Sequence, residues 1–584
     1  MISKTEFKKF LRCPRYAGFY QMQKNHHFMV KYKGKVIDEN STESINIKKL
    51  FVDTKDSLTM QEYYQKLEEY TAQEVQKKFQ IKIHYSLDTS LQKMLIASYL
   101  DYDYYCYLDG YYEDEKNLYL FETKATTSKK IENLCYSEKG KKVSIFSLKD
   151  GIYQLRHIDN PKLLEESRYF NLYQKLFDRE SDLGQYVFDL AFQYFLYLNQ
   201  ENYFYKEPHL YLAILNADFI YDGKSYEGLV SFVDVTTVVV EMQELIKNDF
   251  KRLNEYLDEL DISNGEIGAW CGYRRPDECP YAKVCFNDFS CDGSIFELID
   301  RHFKFVVDGK KVDIYQLAKT YRLISELNKE IIPKINNQIQ YDVLTKKIPH
   351  YRKDKIKATL DLLEYPLYYL DFEAFNCPIP RFIYEKPYDQ SVFQYSLHIE
   401  NKPGNCDIDQ DHLGYLAHSN KSDERYQLAK KLCSDIGDKG SIIVYNKAFE
   451  KTRLEEFATY FPDLRSKLLN IANRLFDLID VVNTNVNLYK SLGFSENDAK
   501  MVNIYDSRLK GSYSIKKVLP LVSDLSYENL EVKNGVMAMD AYYQFDKVSE
   551  SEFTKLYESL IQYCKLDTYS MVLIVKFLYK IVNN

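Results

Sequence analysis

The stretch YLDFEAF, residues 369–375, decides the fold of the C-terminal part of this chain. It is an apolar, strand-like run that carries two acids, Asp371 and Glu373, two positions apart. Side chains alternate along a strand, so both carboxylates point to one face, where they repel each other. A hard divalent cation such as Mg²⁺ takes carboxylate oxygens as ligands and offsets that repulsion. The stretch therefore predicts a strand that presents a divalent-cation site.

The composition is that of a globular protein without a membrane-spanning segment. The chain has 584 residues, enough for more than one domain, and is 45% hydrophobic and 28% charged. No run of about 18 apolar residues occurs, and the first residues lack the apolar core of a signal peptide, so we expect a cytoplasmic protein. The net charge of −8 argues against a surface coated by nucleic acid but leaves room for a local basic groove.

Three regions follow one another along the chain. Residues 1–295 carry helical and strand patterns and end in a cysteine cluster. Residues 296–362 form a predicted helical connector with the basic stretch KKIPHYRKDKIKATL, and residues 363–584 begin with the strand above and end in a helix. Apolar strand runs such as GLVSFVDVT and SIIVYN alternate with long helical patterns, which predicts mixed α/β domains.

Further acidic positions accompany the first strand. In SIIVYNKAFEKTRLEEFATYF a short apolar strand ends at Asn446, and Glu450 follows in the first turns of a helix, near its positive end. In SLIQYCKLDTYSMVLIVKFL, Tyr563 and Asp567 lie four residues apart and share one face of a helix. A D-x-E pair or an acidic helix residue is usually solvated surface when it stands alone. The order of the three features along the chain favours a shared site.

The segments DFE (371–373), NKAFE (446–450) and YCKLD (563–567) resemble the DnaQ-like 3′–5′ exonucleases of the RNase H fold. That family has D-x-E on the first strand, N-x-x-F-D at the second motif and Y-x-x-x-D on the last helix. Glu450 thus stands where Asp is usual. The resemblance implies that Tyr563 orients an attacking water. It also implies that four carboxylates hold two Mg²⁺ or Mn²⁺ ions: Asp371, Glu373, Glu450 and Asp567.

Two nearby segments offer supporting residues. RLFDLIDVV brings Asp477 and Asp480 near a strand, and Asp480 is a weaker candidate for a supporting role. GSYSIKKVLP, residues 511–520, carries Lys516 and Lys517, which can approach a phosphate or lie on the exposed surface.

The N-terminal region carries a second candidate site. Residues 104–127, YYCYLDGYYEDEKNLYLFETKATT, predict two strands joined by an acidic turn. Asp109 ends one strand, and Glu122 and Lys124 lie two apart on one face of the next. Carboxylates bind a catalytic cation, and lysine holds the attacking water or neutralises phosphate charge. The spacing resembles the PD-(D/E)XK nuclease core, although an isolated E-x-K is commonly a solvated strand end.

Two helical segments add to this resemblance. DLAFQYFLYL carries Gln193 and Tyr197, which match the Q-x-x-x-Y helix of RecB-like nucleases. The segment EYTAQEVQKKF, on a helix before the first strand, offers Glu74 where that family has an acidic residue or a histidine. No histidine stands at that place.

The chain has 11 cysteines, an odd number, and we expect no disulfide framework in a chain without an export signal. The start, SKTEFKKFLRCPRYAGFY, is similar to the opening of RecB-family nucleases that contain an iron–sulfur cluster, in which one early cysteine joins three at the end of the domain. The matching cysteines here have the spacing C-x7-C-x5-C, which departs from the usual x2 in its first gap. They are Cys13, Cys271, Cys279 and Cys285, with Cys291 as a spare candidate. A [4Fe–4S] cluster is favoured, and Zn²⁺ or unligated thiols stay open. The remaining cysteines lack ligand spacing and are interpreted as packing residues: Cys106, Cys135, Cys377, Cys406, Cys433 and Cys564.

Over nearly its full length the chain resembles a bacterial family of unknown function that joins a RecB-like PD-(D/E)XK nuclease domain to a DnaQ-like exonuclease domain. IPRF (379–382) and QSVFQYSLHIE (390–400) add to this likeness. It implies a metal-dependent nuclease, with DNA favoured over RNA as the substrate and nucleic acid as the partner, in repair or defence. The alternatives are a nucleic-acid-binding module with little or no turnover, favoured by Glu450 and the missing histidine, and a cluster-bearing redox protein.

Overall fold

The computed structural model describes residues 1–24, 27–51, 58–86, 91–201, 203–263, 266–268, 271, 279–299 and 305–584. They form two compact units, one of Met1–Val284 with Cys377–Asp389 and one of Cys285–Asn376 with Gln390–Asn584. Both units contain helices and strands, so the predicted mixed α/β class is confirmed. No helix within these ranges is long and apolar enough to cross a membrane.

The first unit is built on β-sheets. Its strands are β1 (Ile2–Ser3), β2 (Met29–Tyr32), β3 (Lys35–Asp38), β4 (Met94–Tyr99), β5 (Tyr102–Tyr107), β6 (Gly110–Glu113), β7 (Asn117–Thr127), β8 (Cys135–Glu138), β9 (Lys141–Ser144), β10 (Phe146–Lys149), β11 (Ile152–Leu155), β12 (Glu207–Leu215) and β13 (Val230–Asp234). A six-stranded sheet has the order β10-β11-β13-β12-β7-β6, and β1, β5 and β4 form a three-stranded sheet. In the larger sheet β7 pairs in parallel with β12 and antiparallel with β6, so β7 is an interior strand.

Helices pack against these sheets. They are α1 (Lys4–Arg12), α2 (Pro14–Lys24), α3 (Thr42–Lys48), α4 (Leu58–Phe79), α5 (Lys129–Glu132), α6 (Ser167–Tyr173), α7 (Gly184–Leu198), α8 (Thr236–Glu241) and α9 (Gln243–Asp258), with α10 (Ala282–Cys285) at the division between the units. The two faces of β7 meet different helices. Phe121 lies 5.3 Å, ring to ring, from Phe79 of α4, whereas Glu122 accepts a hydrogen bond from Gln193 of α7. The period of two thus turns Glu122 and Lys124 toward α7.

The second unit contains a five-stranded sheet and many helices. Its strands are β14 (Phe305–Val307), β15 (Lys310–Val312), β16 (His350–Tyr351), β17 (Leu367–Phe375), β18 (Ser391–Glu400), β19 (His412–Leu416), β20 (Ile442–Val444), β21 (Leu475–Asp477) and β22 (Ile504–Tyr505). Its helices are α11 (Ile314–Leu317), α12 (Ile335–Lys346), α13 (Lys353–Leu360), α14 (Arg425–Asp435), α15 (Lys447–Tyr460), α16 (Arg465–Asn473), α17 (Leu478–Val482), α18 (Val486–Ser491), α19 (Glu496–Lys500), α20 (Ile515–Val518), α21 (Gly535–Gln544) and α22 (Glu550–Asn583).

Strand β17, which contains the opening stretch of sequence, is the middle strand of the order β19-β18-β17-β20-β21. It pairs antiparallel with β18 and in parallel with β20. Tyr368, Leu370 and Phe372 belong to one buried apolar cluster, and Tyr369 belongs to the other, which includes apolar residues of α22. Asp371 and Glu373 have the parity of Tyr369, so they lie on the face that α22 covers.

The units do not follow the predicted boundaries at 295/296 and 362/363. Residues 296–362 were expected to form a separate helical connector, but the described part of this region belongs to the second unit and includes strands β14 and β15. The segment Cys377–Asp389, which directly follows β17, belongs to the first unit. Composition gives no sign of either assignment, because both depend on contacts between residues far apart in sequence.

Candidate functional sites

The carboxylates of β17 and a thiol of α22 come together in the second unit. One ligand atom each from Asp371, Glu373 and Cys564 lies within 4.8 Å of the other two. A bulge between Glu373 and Ala374 interrupts the pairing with β18 directly after the second acid. The predicted pair therefore shares one face, and Cys564, interpreted from sequence as a simple packing residue, is its direct neighbour.

Helix α22 adds the predicted tyrosine and aspartate. Tyr563 and Asp567 are 5% and 7% exposed, one helical turn apart. The Tyr527 hydroxyl donates a hydrogen bond of 2.6 Å to Asp567 Oδ1, and its ring meets that of Tyr563 edge to face at 6.1 Å. Sequence analysis did not identify Tyr527, because it stands 40 residues before Asp567 in a short segment without a periodic pattern.

Glu450 reaches the same region from the first turn of α15. Asn446, before this helix, has a positive φ of 91°, a conformation that Asn adopts more readily than most residues. The two oxygens of Asp477 accept the backbone N–H groups of Asn446 and Lys447, at 3.0 and 2.8 Å, and so fix the start of the helix. Glu450 is 2% exposed, and its Oε2 has no hydrogen-bond partner in the part of the chain that the structure describes. A buried carboxylate oxygen without a partner is costly.

Burial raises the pKa of all four carboxyl groups, and neighbouring carboxylates add to the effect at Asp371 and Glu373. Burial raises the pKa of Asp371 well above its usual range, and the charges of Asp567, Glu373 and Glu450 raise it further. Burial, followed by the charge of Asp567, raises the pKa of Glu373 to about 8. Burial also raises the pKa of Glu450 to about 8 and that of Asp567 to about 6. Burial thus disfavours the ionised forms of these carboxyl groups, and a bound cation would favour them.

One lysine lies at this cluster. The Lys516 ammonium is 5.1 Å from the ring centre of Tyr527 and 5.3 Å from that of Tyr563. Its charge lowers the pKa values of Asp371, Glu373 and Asp567 against the larger effect of burial. Of the two lysines singled out in the sequence, Lys516 is therefore at the site, and Lys517 is exposed.

Asp480 interacts with Asp477 and Asn485, and none of its described contacts is with β17. Its Oδ2 accepts a hydrogen bond of 3.0 Å from Asn485, and burial together with Asp477 raises its pKa to about 6. Asp477, through its hold on the start of α15, is the residue of this segment that positions Glu450.

In the first unit, Glu122 and Lys124 form the predicted pair within a larger ionic network. The ammoniums of Lys124 and Lys4 each lie 2.6 Å from the same oxygen, Glu122 Oε1, and Gln193 donates to Oε2. Burial acts to raise the pKa of Glu122, but the two lysines outweigh it and hold that pKa below its usual value. Tyr197, predicted with Gln193, instead donates to Glu113 at 3.3 Å.

Asp189 is a further buried acid that sequence analysis missed. It precedes Gln193 by one turn of α7 and is 4% exposed. Its Oδ2 pairs with Lys124 at 2.7 Å and its Oδ1 with Lys8 at 2.7 Å. The segment DLAFQYFLYL contains its signal, an acid inside an otherwise apolar helix, which requires a buried partner.

A cavity of about 360 Å³ opens beside this network, lined by Glu68, Asp109, Glu122 and Lys124 among others. The Thr123 N–H donates to Asp109 Oδ2 at 2.9 Å. Burial, with the charge of Glu122, raises the pKa of Asp109 to about 7, and burial with the charges of Asp109 and Glu122 raises that of Glu68 to about 8.

The sequence assigned the acid of helix α4 to Glu74, but Glu68 lines the cavity. Glu74 accepts the N–H of Gly228 at 2.8 Å. Six residues along a helix turn the side chain by about 120° away from the starting face, so only one of the two acids can face β7.

Two of the predicted cysteine ligands, Cys13 and Cys279, stand close in sequence to residues that pack together. Cys13 stands between α1 and α2, and Tyr16 follows it by three residues. Tyr281 follows Cys279 by two residues. The rings of Tyr16 and Tyr281 lie 4.9 Å apart. In the described ranges, Cys13, Cys271 and Cys279 do not form a group with all ligand atoms within 4.8 Å. Residues 272–278 of the predicted segment lie outside the described residues, and Cys285 falls on the other side of the division between the units.

Comparison with known proteins identifies similar chains without an assigned activity. Residues 368–514 match a family model described as "Domain of unknown function (DUF2779)", which includes β17 and the start of α15 but ends before Tyr563 and Asp567. The "Uncharacterized protein UU173" of Ureaplasma parvum serovar 3 is 28% identical over 260 residues, 40% of this chain and 35% of the relative.

Two mycoplasma proteins show the same level of similarity. The "Uncharacterized protein MG366" of Mycoplasma genitalium is 27% identical over 311 residues, 48% of this chain and 44% of the relative. Its homolog in Mycoplasma pneumoniae is 27% identical over 252 residues, 40% of this chain and 35% of the relative. The chain thus spans less than half the length of the curated relatives it matches. No solved structure matches it significantly.

Proposed function

We propose that this protein is a metal-dependent nuclease whose principal active site is the carboxylate cluster of the second unit, which resembles the DnaQ-like exonucleases. One observation carries this proposal: Asp371 and Glu373 of β17 have ligand atoms within 4.8 Å of each other, and the charges of the buried Glu450 and Asp567 act on Asp371 from two helices. Buried like charges persist in a fold when a bound cation offsets them.

The donor set fits Mg²⁺ or Mn²⁺. Two of the three converging ligand atoms, those of Asp371 and Glu373, are carboxylate oxygens, which hard cations prefer. Burial and the neighbouring carboxylates raise the pKa of the Cys564 thiol well above its usual value, so it stays protonated and is a poor ligand. The buried Glu450 Oε2, without a hydrogen-bond partner among the described residues, supports the same assignment.

Each side chain has a role in phosphodiester hydrolysis. Asp371, Glu373, Glu450 and Asp567 would hold the ions. A bound ion would polarise the phosphoryl oxygen and lower the pKa of a water molecule. The Tyr563 hydroxyl would orient the attacking water, since its own pKa is raised by burial and by Asp567, which keeps it a hydrogen-bond donor. The Lys516 ammonium would neutralise charge on the phosphate.

We propose a second nuclease-like site in the first unit, on the resemblance to RecB-like PD-(D/E)XK proteins. Asp109 and Glu122 would bind a cation and Lys124 would act at the phosphate, with the cavity that they line as the supporting observation. The resemblance also implies a [4Fe–4S] cluster, or Zn²⁺, on Cys13, Cys271, Cys279 and Cys285. It favours DNA as the substrate and repair or defence as the context.

A cleavage assay tests the proposal. Protein prepared without oxygen is incubated with end-labelled single- and double-stranded DNA and RNA in Mg²⁺, Mn²⁺ or EDTA. Asp371→Asn is compared with Glu455→Gln, an exposed acid on α15, and Lys124→Met with Lys9→Met, an exposed lysine on α1. We expect cation-dependent cleavage that Asp371→Asn abolishes and Glu455→Gln preserves. Absence of cleavage on every substrate, with nucleic-acid binding retained, would overturn it.

The second candidate function is a nucleic-acid-binding module without turnover in the first unit. It is favoured by the pairing of Glu122 with two ammoniums and an amide, which leaves little of this carboxylate open to a cation. Cleavage that is unchanged in Lys124→Met but lost in Asp371→Asn would assign the first unit to binding and the second to catalysis.

A further inference from the structure

Glu122 accepts hydrogen bonds from three donors, two of which are ammonium groups that share one oxygen. A carboxylate has about four lone-pair positions, two on each oxygen. Lys4 and Lys124 occupy both positions of Oε1, each at 2.6 Å, and Gln193 occupies one of Oε2. Lys124 belongs to the E-x-K pattern and is expected beside Glu122. Lys4 is a second ammonium group at the same oxygen, which the pattern does not predict. It stands 118 residues before Glu122.

Lys4 is held at this position by the fold. Ser3 caps α1, with its hydroxyl accepting the Glu6 N–H at 3.2 Å and its N–H donating to the Glu6 carboxylate at 2.8 Å. Strand β1, directly before the helix, pairs in parallel with β5. Phe7, one turn after Lys4, is fully buried and lies 4.4 Å, ring to ring, from Phe250. The ammonium therefore reaches Glu122 from a fixed backbone.

The two lysines at Glu122 are not equivalent. Lys124 makes a second ion pair, 2.7 Å long, with Asp189. Among the described residues the ion pair of Lys4 is with Glu122 alone. A divalent cation that takes Glu122 Oε1 must displace one ammonium. Lys4 then loses one charge-assisted hydrogen bond and its longer-range attraction to Asp189 and Asp109, whereas Lys124 would lose two such hydrogen bonds.

We propose that Lys4 competes with a divalent cation for Glu122 and thereby sets the metal affinity of the first unit. The inference rests on the proposed metal site in this unit and deepens it. Lys4 stands in for part of the charge that a cation would bring to three acids, Asp109, Glu122 and Asp189. In the second unit the Lys516 charge also acts on Asp371, but the described residues form no ion pair with that carboxyl, so the two units should differ in metal affinity.

Binding of Mn²⁺ alone to the full chain tests the proposal, with free Mn²⁺ measured by electron paramagnetic resonance and no substrate present. Glu122→Gln identifies the sites of the first unit as those it removes. In Lys4→Met we expect those sites to bind on the order of tenfold more tightly, because the cation no longer displaces a charge-assisted hydrogen bond. Lys4→Arg, which keeps the charge, should bind no more tightly than the wild type. Lys9→Met, which removes an exposed charge from the same helix, should bind as the wild type does.

Two results overturn the inference, and they differ in meaning. If Glu122→Gln removes sites but Lys4→Met leaves their affinity unchanged or weaker, Lys4 does not compete, while the metal site stands. If Glu122→Gln removes no sites, the metal site proposed for the first unit fails together with the inference. Circular dichroism checks the fold of each variant, and Lys4→Gln, which keeps a donor without the charge, replaces Lys4→Met if that variant does not fold.

Discussion

The ionisation of Glu450 should destabilise the metal-free protein as the pH rises. Burial raises the pKa of this group from 4.5 to about 8 in the folded chain, so folding favours its protonated form. Stability from this group is present below pH 4.5 and is lost as the pH rises through about 8. The pKa of Glu450 differs by 3.5 between the unfolded chain (4.5) and the folded chain (about 8). At about 1.4 kcal/mol for each pKa unit, its ionisation lowers the free energy of unfolding by at most about 5 kcal/mol.

The isosteric Glu450→Gln variant removes this ionisation. In EDTA we expect its free energy of unfolding to be close to that of the wild type at pH 5 and several kcal/mol larger at pH 9. Mn²⁺ should narrow this gap, because a cation at 100 times its Kd stabilises the wild type by about 2.7 kcal/mol, roughly half of the full loss. Urea denaturation followed by circular dichroism at pH 5, 7 and 9 measures the difference. Glu455→Gln, at an exposed position of the same helix, is the control.

The reasoning is refuted if Glu450→Gln and the wild type unfold at the same urea concentration at pH 9 in EDTA. That result would mean that the carboxylate is solvated or paired in solution. It would also remove the strongest physical argument for a cation at this cluster.

The remaining predictions concern residues that hold the sites in place. Tyr527→Phe deletes the donor to Asp567 and should weaken Mn²⁺ binding about 10- to 100-fold; unchanged titration curves would contradict this. Asp477→Ala removes the cap of α15 and should cost about 1–2 kcal/mol in urea denaturation, with a loss below 0.3 kcal/mol arguing against the capping role. Tyr388→Phe deletes the donor to the Ala125 carbonyl and should lower the stability of the first unit by about 1 kcal/mol, seen as faster hydrogen exchange in that unit. Faster exchange confined to the second unit would contradict this.

Local periodicity accounts for what the sequence predicted correctly. The spacing of Asp371 and Glu373 placed both on one strand face, and the four-residue spacing of Tyr563 and Asp567 placed both on one helix face. An apolar strand followed by a helix located Glu450 in a first turn. Each of these placements depends on the spacing of a few consecutive residues, so each can be predicted from one sequence.

Tertiary contacts account for what the sequence could not show. Lys4 and Tyr527 reach their acids across 118 and 40 residues, and no period connects them. The choice of Glu68 over Glu74 depends on which face of α4 meets the sheet. Cys564 stands beside an obvious pair, yet only the packing of α22 on β17 brings its thiol to the carboxylates.

The assignment of Cys377–Asp389 to the first unit limits how the protein can be divided. The chain passes from one unit to the other at 284/285, at 376/377 and again at 389/390, so no single cut yields two whole parts. A fragment that ends near residue 295 would lack Tyr388, whose hydroxyl bonds the carbonyl directly after Lys124. Its fold should be recovered by adding the missing peptide in trans or by joining it through a short linker, and loss of function in the bare fragment would say nothing about its chemistry.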